Sequence, residues 1–276
     1  MEGRAIRPSF LSGAARIFEL SLGEMLWSRR TIFLALITGA PIFLALVARI
    51  AQGSGIVPLR VNGAPVDGPS VFGMMIWVFF LRFIIPVLGV FYGTALIADE
   101  VEDRTLTYLF TRPIRRGAVL VGKYLAYLVC TSLVVLPSVM LVYFLVVPFR
   151  QIASTFPSLA ADLGLLALGL AAYGALFAWV GAALRRPLVS GLVFVFGWEQ
   201  LALLVPGYLK RFTIAHYLQA LVPHAMPSSG VTSVLQSVLT DNPPAAICLL
   251  ALAAITIAAL AAGVKSVEAR EYVLDQ

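Results

Sequence analysis

Residues Val71–Ala98 read VFGMMIWVFFLRFIIPVLGVFYGTALIA and contain one charged side chain, Arg82. A helix needs about 20 mostly apolar residues to cross a bilayer, so this stretch is long enough to span a membrane. Lipid offers the backbone no hydrogen-bond partners, and a spanning segment must therefore be a helix or part of a closed barrel. The stretch lacks the apolar–polar alternation of barrel strands, so it predicts a transmembrane helix.

Five further segments have the same apolar character and are rich in Leu, Val, Ala and Phe. The chain is 60% hydrophobic and 12% charged, whereas soluble domains have about a quarter of their residues charged. We therefore expect an all-α integral membrane protein in which residues 1–276 form one transmembrane domain. The six predicted spans are 31–50, 71–98, 119–147, 159–184, 188–205 and 245–264.

The segment before the first span, residues 9–28, repeats apolar side chains at helical spacing between Leu11 and Leu26. This pattern predicts an amphipathic helix in the inner membrane interface. A helix packed on cytosolic protein is the alternative. A cleaved signal peptide is the alternative for the first span. The basic stretch before this span and the apolar run itself are both longer than in a signal peptide, whose apolar core is typically about 7–15 residues, so we expect an uncleaved span.

Basic residues are distributed unequally between the two sides of the predicted membrane. With the N-terminus inside, the inner side has fourteen: Arg4, Arg7, Arg16, Arg29, Arg30, Arg104, Arg112, Arg115, Arg116, Lys123, Arg185, Arg186, Lys265 and Arg270. The outer side has five: Arg49, Arg60, Arg150, Lys210 and Arg211. This bias predicts cytosolic termini in the cytoplasmic membrane. No soluble face combines basic residues with stacking aromatics, so nucleic-acid binding is not expected.

The outer side is predicted to contain a short turn at 148–157 and a longer segment at 207–244. The longer segment is apolar enough for one or two short helices that lie on or dip into the outer leaflet. Small residues recur through the fourth predicted span, from Gly164 to Ala182. Such residues let helices approach closely, either within one bundle or between two copies of the chain.

A charged loop at 99–118, DEVEDRTLTYLFTRPIRRGA, separates the second and third predicted spans. In a short helix Leu106, Leu109 and Phe110 share one face. Acidic residues occupy its first turns, where the helix dipole favours them, and Pro113 ends it. An apolar face ringed by both charge signs suits docking into a groove on a soluble partner. A solvated loop that is charged only for topology is the alternative.

This loop resembles the cytosolic loop of permease subunits of ATP-binding cassette (ABC) transporters of the type-2 exporter class. The matching residues are Glu100, Arg104-Thr105-Leu106, Leu109, Arg112-Pro113-Ile114, Arg116 and Lys123. The order of interfacial helix, spans and outer segment is similar over essentially the whole chain. The resemblance implies a coupling helix that docks on a nucleotide-binding subunit through Glu100, Asp103, Arg104, Thr105, Leu106, Leu109, Phe110, Arg112, Pro113 and Arg116.

Two stretches imitate nucleotide-binding motifs. Residues Gly117–Lys123 fit the first seven positions of a P-loop, but Tyr124 follows where Ser or Thr must hold magnesium. Residues Ala95–Glu100 imitate a Walker B strand, yet they precede the imitation P-loop. We therefore expect no cofactor in this chain, with ATP and magnesium bound by a partner ATPase.

No catalytic residue or metal site is predicted. His216 and His224 lie in the outer segment, where surface or interfacial positions are the expectation. Cys130 and Cys248 fall inside spans and are interpreted as small packing residues.

Arg82 and Glu199 are predicted to lie deep in the membrane. Arg82 is about eleven residues into its span from the outer end and Glu199 about eleven residues into its span from the inner end, or roughly 16 Å in each case. Intramembrane charges are costly and are usually paired or face a cavity. We therefore expect these two residues to approach each other, directly or through Gln200. A polar part of a translocation path or gate and a structural ion pair are both open.

The functional prediction is the permease subunit of an ATP-driven exporter, working as a homo- or heterodimer in lipid with separate cytosolic ATPases. An ATP-independent secondary transporter or channel is the main alternative, and Glu199 would be its coupling carboxylate. A membrane-embedded enzyme would need more polar residues clustered at one depth. A structural subunit without transport also fits the sequence, which does not indicate a substrate.

Overall fold

The computed structural model describes residues 10–53, 60–61, 64–65, 68–97, 116–204, 208–223 and 243–269. Helix α1 runs from Phe10 to Leu26 and helix α2 from Arg29 to Gly53. A tight turn joins them, in which the Ser28 hydroxyl donates a 3.0 Å hydrogen bond to the carbonyl oxygen of Met25. Two-residue strands, β1 at Arg60–Val61 and β2 at Ala64–Pro65, then pair antiparallel.

Helix α3 spans Gly68–Ile97 and changes its winding along its length. It is α-helical at Gly68–Met75, π-helical at Ile76–Ile84, α-helical at Ile85–Leu88 and π-helical again at Gly89–Gly93. Pro86 lies in the short α-helical stretch between the two π segments. Since π winding is rare and concentrates at functional positions, this helix marks a region of interest.

Helices α4, α5 and α6 follow in close succession. Helix α4 is Arg116–Val146, and α5 is Ile152–Ala183 after a 3₁₀ turn at Phe149–Gln151. Helix α6 occupies residues 187–204; Pro187 suits its first turn, because proline lacks the N–H that this turn leaves unpaired. Its middle, Val193–Glu199, is π-helical.

The remaining described elements are two short helices and one long one. A 3₁₀ helix at Tyr208–Phe212 leads into helix α7, Ile214–Ala220. Helix α8, Ala245–Ala269, is the last described element.

The centre of the bundle is the packing of α4 against α5. Gly174 lies directly against the ring of Tyr127, with no room for a Cβ. The hydroxyl of Tyr127 donates to the carbonyl oxygen of Leu170 over 3.1 Å, and that of Tyr124 donates to Ala171 over 3.0 Å. Gly174 therefore serves a contact within one chain. A Cβ on Gly164, by contrast, would have nothing within 4 Å.

Helix α1 packs along the first half of α4. Its buried residues are Gly13, Ala14, Ile17 and Ser21. A Cβ on Gly122 would lie 2.6 Å from the carbonyl oxygen of Ala14, so the two helices are in close contact. Leu11 and Trp27 remain exposed. The predicted N-terminal helix is present, and its position relative to the membrane remains a prediction.

The predicted spans are recovered as helices, with two differences. Five described helices are long and apolar enough to cross a membrane: Arg30–Ile50, Gly68–Ile97, Arg116–Val146, Phe149–Ala183 and Ala245–Ala269. The fifth predicted span corresponds to a shorter apolar helix, Pro187–Ala202, so six crossings remain a proposal.

The fourth span was predicted to begin near 159, after a turn at 148–157, and this boundary is wrong. Helical structure begins at Phe149, and Pro157 lies inside α5. The early turns of the helix tolerate a proline that reads as a turn signal in the sequence.

Candidate functional site

Arg82 and Gln200 are paired between helices α3 and α6. The Nε and Nη2 atoms of Arg82 donate to Oε1 of Gln200 over 3.2 and 2.7 Å. Arg82 lies in the first π segment of α3, and Gln200 directly follows the π segment of α6. The two irregular helices are thus joined at these residues, and the partner of the cation is a neutral amide.

Glu199 has different partners, although it is the neighbour of Gln200 in the chain. Its side chain is 2% exposed. Its Oε2 accepts a 2.7 Å hydrogen bond from the Tyr173 hydroxyl, and its Oε1 accepts from the backbone N–H of Ala215 over 3.4 Å. One carboxyl group therefore connects α6, α5 and α7.

The start of helix α7 is built to receive this carboxyl group. Thr213 is the N-cap, and its Oγ1 accepts a 3.3 Å hydrogen bond from the backbone N–H of His216. The first N–H groups of a helix lack partners within it and carry partial positive charge. Glu199 satisfies the N–H of Ala215 from outside the helix, so the end of α7 is held at a fixed place on α6.

Helix α7 lies inside the bundle and not on its surface. Ile214, His216 and Leu218 are buried. A Cβ on Gly169, near the middle of α5, would lie 3.2 Å from Cδ1 of Leu218 and 3.3 Å from Cδ1 of Ile85. Helix α7 therefore packs beside both α3 and α5. The expectation of a surface position is wrong for His216, which is buried. An interfacial position remains a prediction, and His224 lies outside the described residues.

One aromatic ring contacts Arg82, and two more lie on the same pair of helices. Its guanidinium carbon is 5.3 Å from the ring centre of Trp77, within the range of a cation–π contact. On the same pair of helices, the rings of Phe83 and Phe196 are 6.4 Å apart and are 46% and 48% exposed. The arrangement presents a partly exposed cation near apolar rings. Such a surface is suited to binding a ligand and holding it in position.

Comparison with known protein families identifies the chain. Residues 11–270 match the family described as ABC-2 family transporter protein. The chain belongs to this family. A comparison with curated proteins finds no match. The ABC-2 permease is accordingly a membrane protein and a transport component that is not itself catalytic, in a family that works with ABC ATPases.

Most of the docking residues predicted for the permease lie outside the described residues. These are Glu100, Asp103, Arg104, Thr105, Leu106, Leu109, Phe110, Arg112 and Pro113. Arg116 is described and is the first residue of α4. A Cβ on the adjacent Gly117 would lie 2.6 Å from Cγ1 of Val264 and 3.6 Å from Cε2 of Phe10. The end of the predicted loop thus joins the point where α1, α4 and α8 meet.

Tyr173 and Asp162 are two residues of the permease that the sequence interpretation did not single out. Tyr173 is buried and donates to Glu199. Buried tyrosines usually find a partner for their hydroxyl, so its place in an apolar span was an available signal. Asp162 is a fully buried acid in α5, and its charge inside a predicted span was equally visible in the sequence.

Proposed function

We propose that this chain is the permease subunit of an ATP-driven exporter. It works as a dimer in the cytoplasmic membrane with two separate cytosolic ATPase subunits, and both of its termini face the cytosol. The observation that carries the proposal is the family match over residues 11–270. The excess of basic residues on the predicted inner side supports the orientation.

The loop at 99–118 is the proposed connection to the ATPase. ATP-driven closure of the ATPases moves Leu106, Leu109 and Phe110, whose spacing in the sequence predicts one face of a short helix. The loop leads directly into α4, whose first residues contact α1 and α8. A displacement there acts on three packed helices at once, which suits transmission of movement into the bundle.

The contacts of Glu199 would pass that movement on to helix α7. Since its carboxyl group contacts both Tyr173 and Ala215, a shift of α5 against α6 also displaces α7. The outer segment therefore acts as the outer gate in this proposal. Release of the Glu199 contacts would accompany opening of the path to the outside.

Capture of the ATPase from the native membrane tests the proposal. Detergent-solubilised wild-type chain is compared with a Leu106→Asp/Leu109→Asp variant, and co-purifying proteins are identified by mass spectrometry. A Thr107→Asp/Tyr108→Asp variant is the matched control, because it adds the same charge to the loop at positions outside the apolar face. We expect an ATPase with P-loop motifs to accompany the wild type and the control, but not the first variant.

A secondary transporter or channel is the second candidate, and the buried carboxyl group of Glu199 favours it. Such groups often serve as coupling sites in transporters. A folded chain that captures no ATPase in any of the three preparations would support this candidate and overturn the exporter.

A further inference from the structure

We propose that Arg82 is the anion-binding residue of the substrate site, and that the transported molecule is an amphiphile with an anionic head group. The inference rests on the proposed export function and deepens it by naming the class of substrate. It is carried by the position of Arg82, by its pairing with a neutral amide and not with an acid among the described residues, and by the apolar rings beside it.

Arg82 lies near the middle of helix α3, within its first π segment, and carries a guanidinium cation. Its Nε and Nη2 atoms donate to Gln200. A guanidinium group has five N–H donors in total, so further donors are available to a ligand. The residue is partly exposed on the surface of the chain.

Within the predicted spans, the structure describes no exposed acid that could balance Arg82. Of its fourteen acids, Asp162 and Glu199 are the two inside predicted spans. Both are buried, and the oxygens of Glu199 accept hydrogen bonds from Tyr173 and Ala215. A second copy of the chain would add another Arg82, and within the predicted spans it would add the same two buried acids. An anion supplied by the substrate is what balances this charge.

The apolar neighbours of Arg82 define the rest of the ligand. Phe83 and Phe196 are about half exposed and lie side by side on α3 and α6. Leu201 is also exposed, one residue after Gln200. An oxyanion head on the guanidinium group and a hydrocarbon chain over these side chains match the two parts of this surface. A small, fully hydrated anion would leave the apolar part uncovered.

A fluorescence titration of the full-length permease alone tests the site. The protein is placed in nanodiscs of zwitterionic phosphatidylcholine and titrated with dodecyl phosphate. Trp77 reports binding through its contact with Arg82, and Trp77→Phe identifies its share of the signal. Dodecyltrimethylammonium tests the sign of the charge, and inorganic phosphate tests the need for an apolar chain. We expect saturable binding of dodecyl phosphate at least tenfold tighter than of either other probe.

Two variants separate the role of Arg82 from general effects on folding. Arg82→Gln removes the cation, and we expect at least tenfold weaker binding of dodecyl phosphate. Gln200→Glu keeps Arg82 but gives it a carboxylate as its hydrogen-bond partner. This carboxylate balances the charge of Arg82 and competes with the anionic ligand, so we expect the same loss of binding. Thermal unfolding of each variant shows whether it is folded.

Unchanged affinity in a folded Gln200→Glu or Arg82→Gln protein would overturn the proposal, as would equal binding of the cationic probe. Inorganic phosphate binding as tightly as dodecyl phosphate would overturn the amphiphile as the substrate class. The titration needs no ATPase. Failure to capture an ATPase alongside normal anion binding therefore contradicts the export function and leaves the site intact.

Discussion

The hydroxyl of Tyr173 donates a 2.7 Å hydrogen bond to Glu199, and both side chains are enclosed by the bundle. Tyr173 belongs to α5 and Glu199 to α6, while the other oxygen of the same carboxyl group accepts from the backbone of α7. A single acid on α6 thus joins the start of α7 to α5.

Removing the tyrosine hydroxyl should destabilise the protein. Tyr173→Phe leaves an oxygen of Glu199 without its partner, which typically costs about 1–3 kcal/mol in a buried site. Thermal or denaturant unfolding in a fixed detergent measures the change. Tyr124→Phe is the control, because that hydroxyl donates to a neutral backbone carbonyl, and we expect a smaller loss. An equal loss in both variants would argue against a special role for Glu199.

Arg82 should be energetically coupled to Gln200 more strongly than to Glu199. A double-mutant cycle with Arg82→Leu and Gln200→Leu removes the hydrogen bonds that join α3 to α6. Hydrogen bonds between membrane helices contribute about 0.6 kcal/mol on average and up to about 1.7. The parallel cycle with Glu199→Leu should give a smaller coupling energy. The reverse order would mean that the two charges interact directly.

Two glycines of the same helix should respond to alanine in opposite ways. Gly174→Ala forces a methyl group into the ring of Tyr127, and such overpacking typically costs about 1–3 kcal/mol. Gly164→Ala meets no atom within 4 Å, so it should stabilise the helix by about 0.5–1 kcal/mol. Unfolding measurements on both variants decide the point, and a neutral Gly174→Ala would contradict the observed packing of α4 on α5.

Loss of the N-cap of α7 should loosen the outer segment. Thr213→Ala removes the acceptor for the N–H of His216, which typically costs about 0.5–2 kcal/mol. Hydrogen exchange followed by mass spectrometry should show faster exchange at residues 214–220. Thr256→Ala, whose hydroxyl donates within α8 to Leu252, serves as the control. Equal protection of residues 214–220 in both variants would exclude a capping role.

The long helices could be predicted because a helix that crosses a bilayer needs about 20 consecutive apolar residues, and such runs are visible in the sequence. The predicted 71–98 and 188–205 agree with helices at 68–97 and 187–204 to within three residues. The predicted 159–184 failed at its start, because Pro157 and nearby polar residues favour a turn only when local preference is considered alone. Packing against the rest of the bundle decides that boundary.

The polar cluster could be predicted in part. The cost of charge in a membrane indicated Arg82 and Glu199 as residues of interest. The structure pairs Arg82 with Gln200, whereas Glu199 contacts Tyr173 and Ala215, so the described hydrogen bonds do not link the two charges. The contacts of Glu199 join it to Tyr173, 26 residues away in the chain, and to Ala215, 16 residues away. No local periodicity in the sequence encodes contacts over such separations, and for the same reason the burial of His216 was not foreseen.

The π winding of α3 and α6 has a mechanical consequence. In this winding each N–H bonds to the carbonyl five residues earlier, and a change to the four-residue pattern breaks no helix. It would instead turn every side chain beyond that point around the helix axis and lengthen the rod. Arg82 lies within one such segment and Glu199 at the end of another. Both side chains can therefore be re-aimed and shifted along the helix axis while the two helices stay continuous.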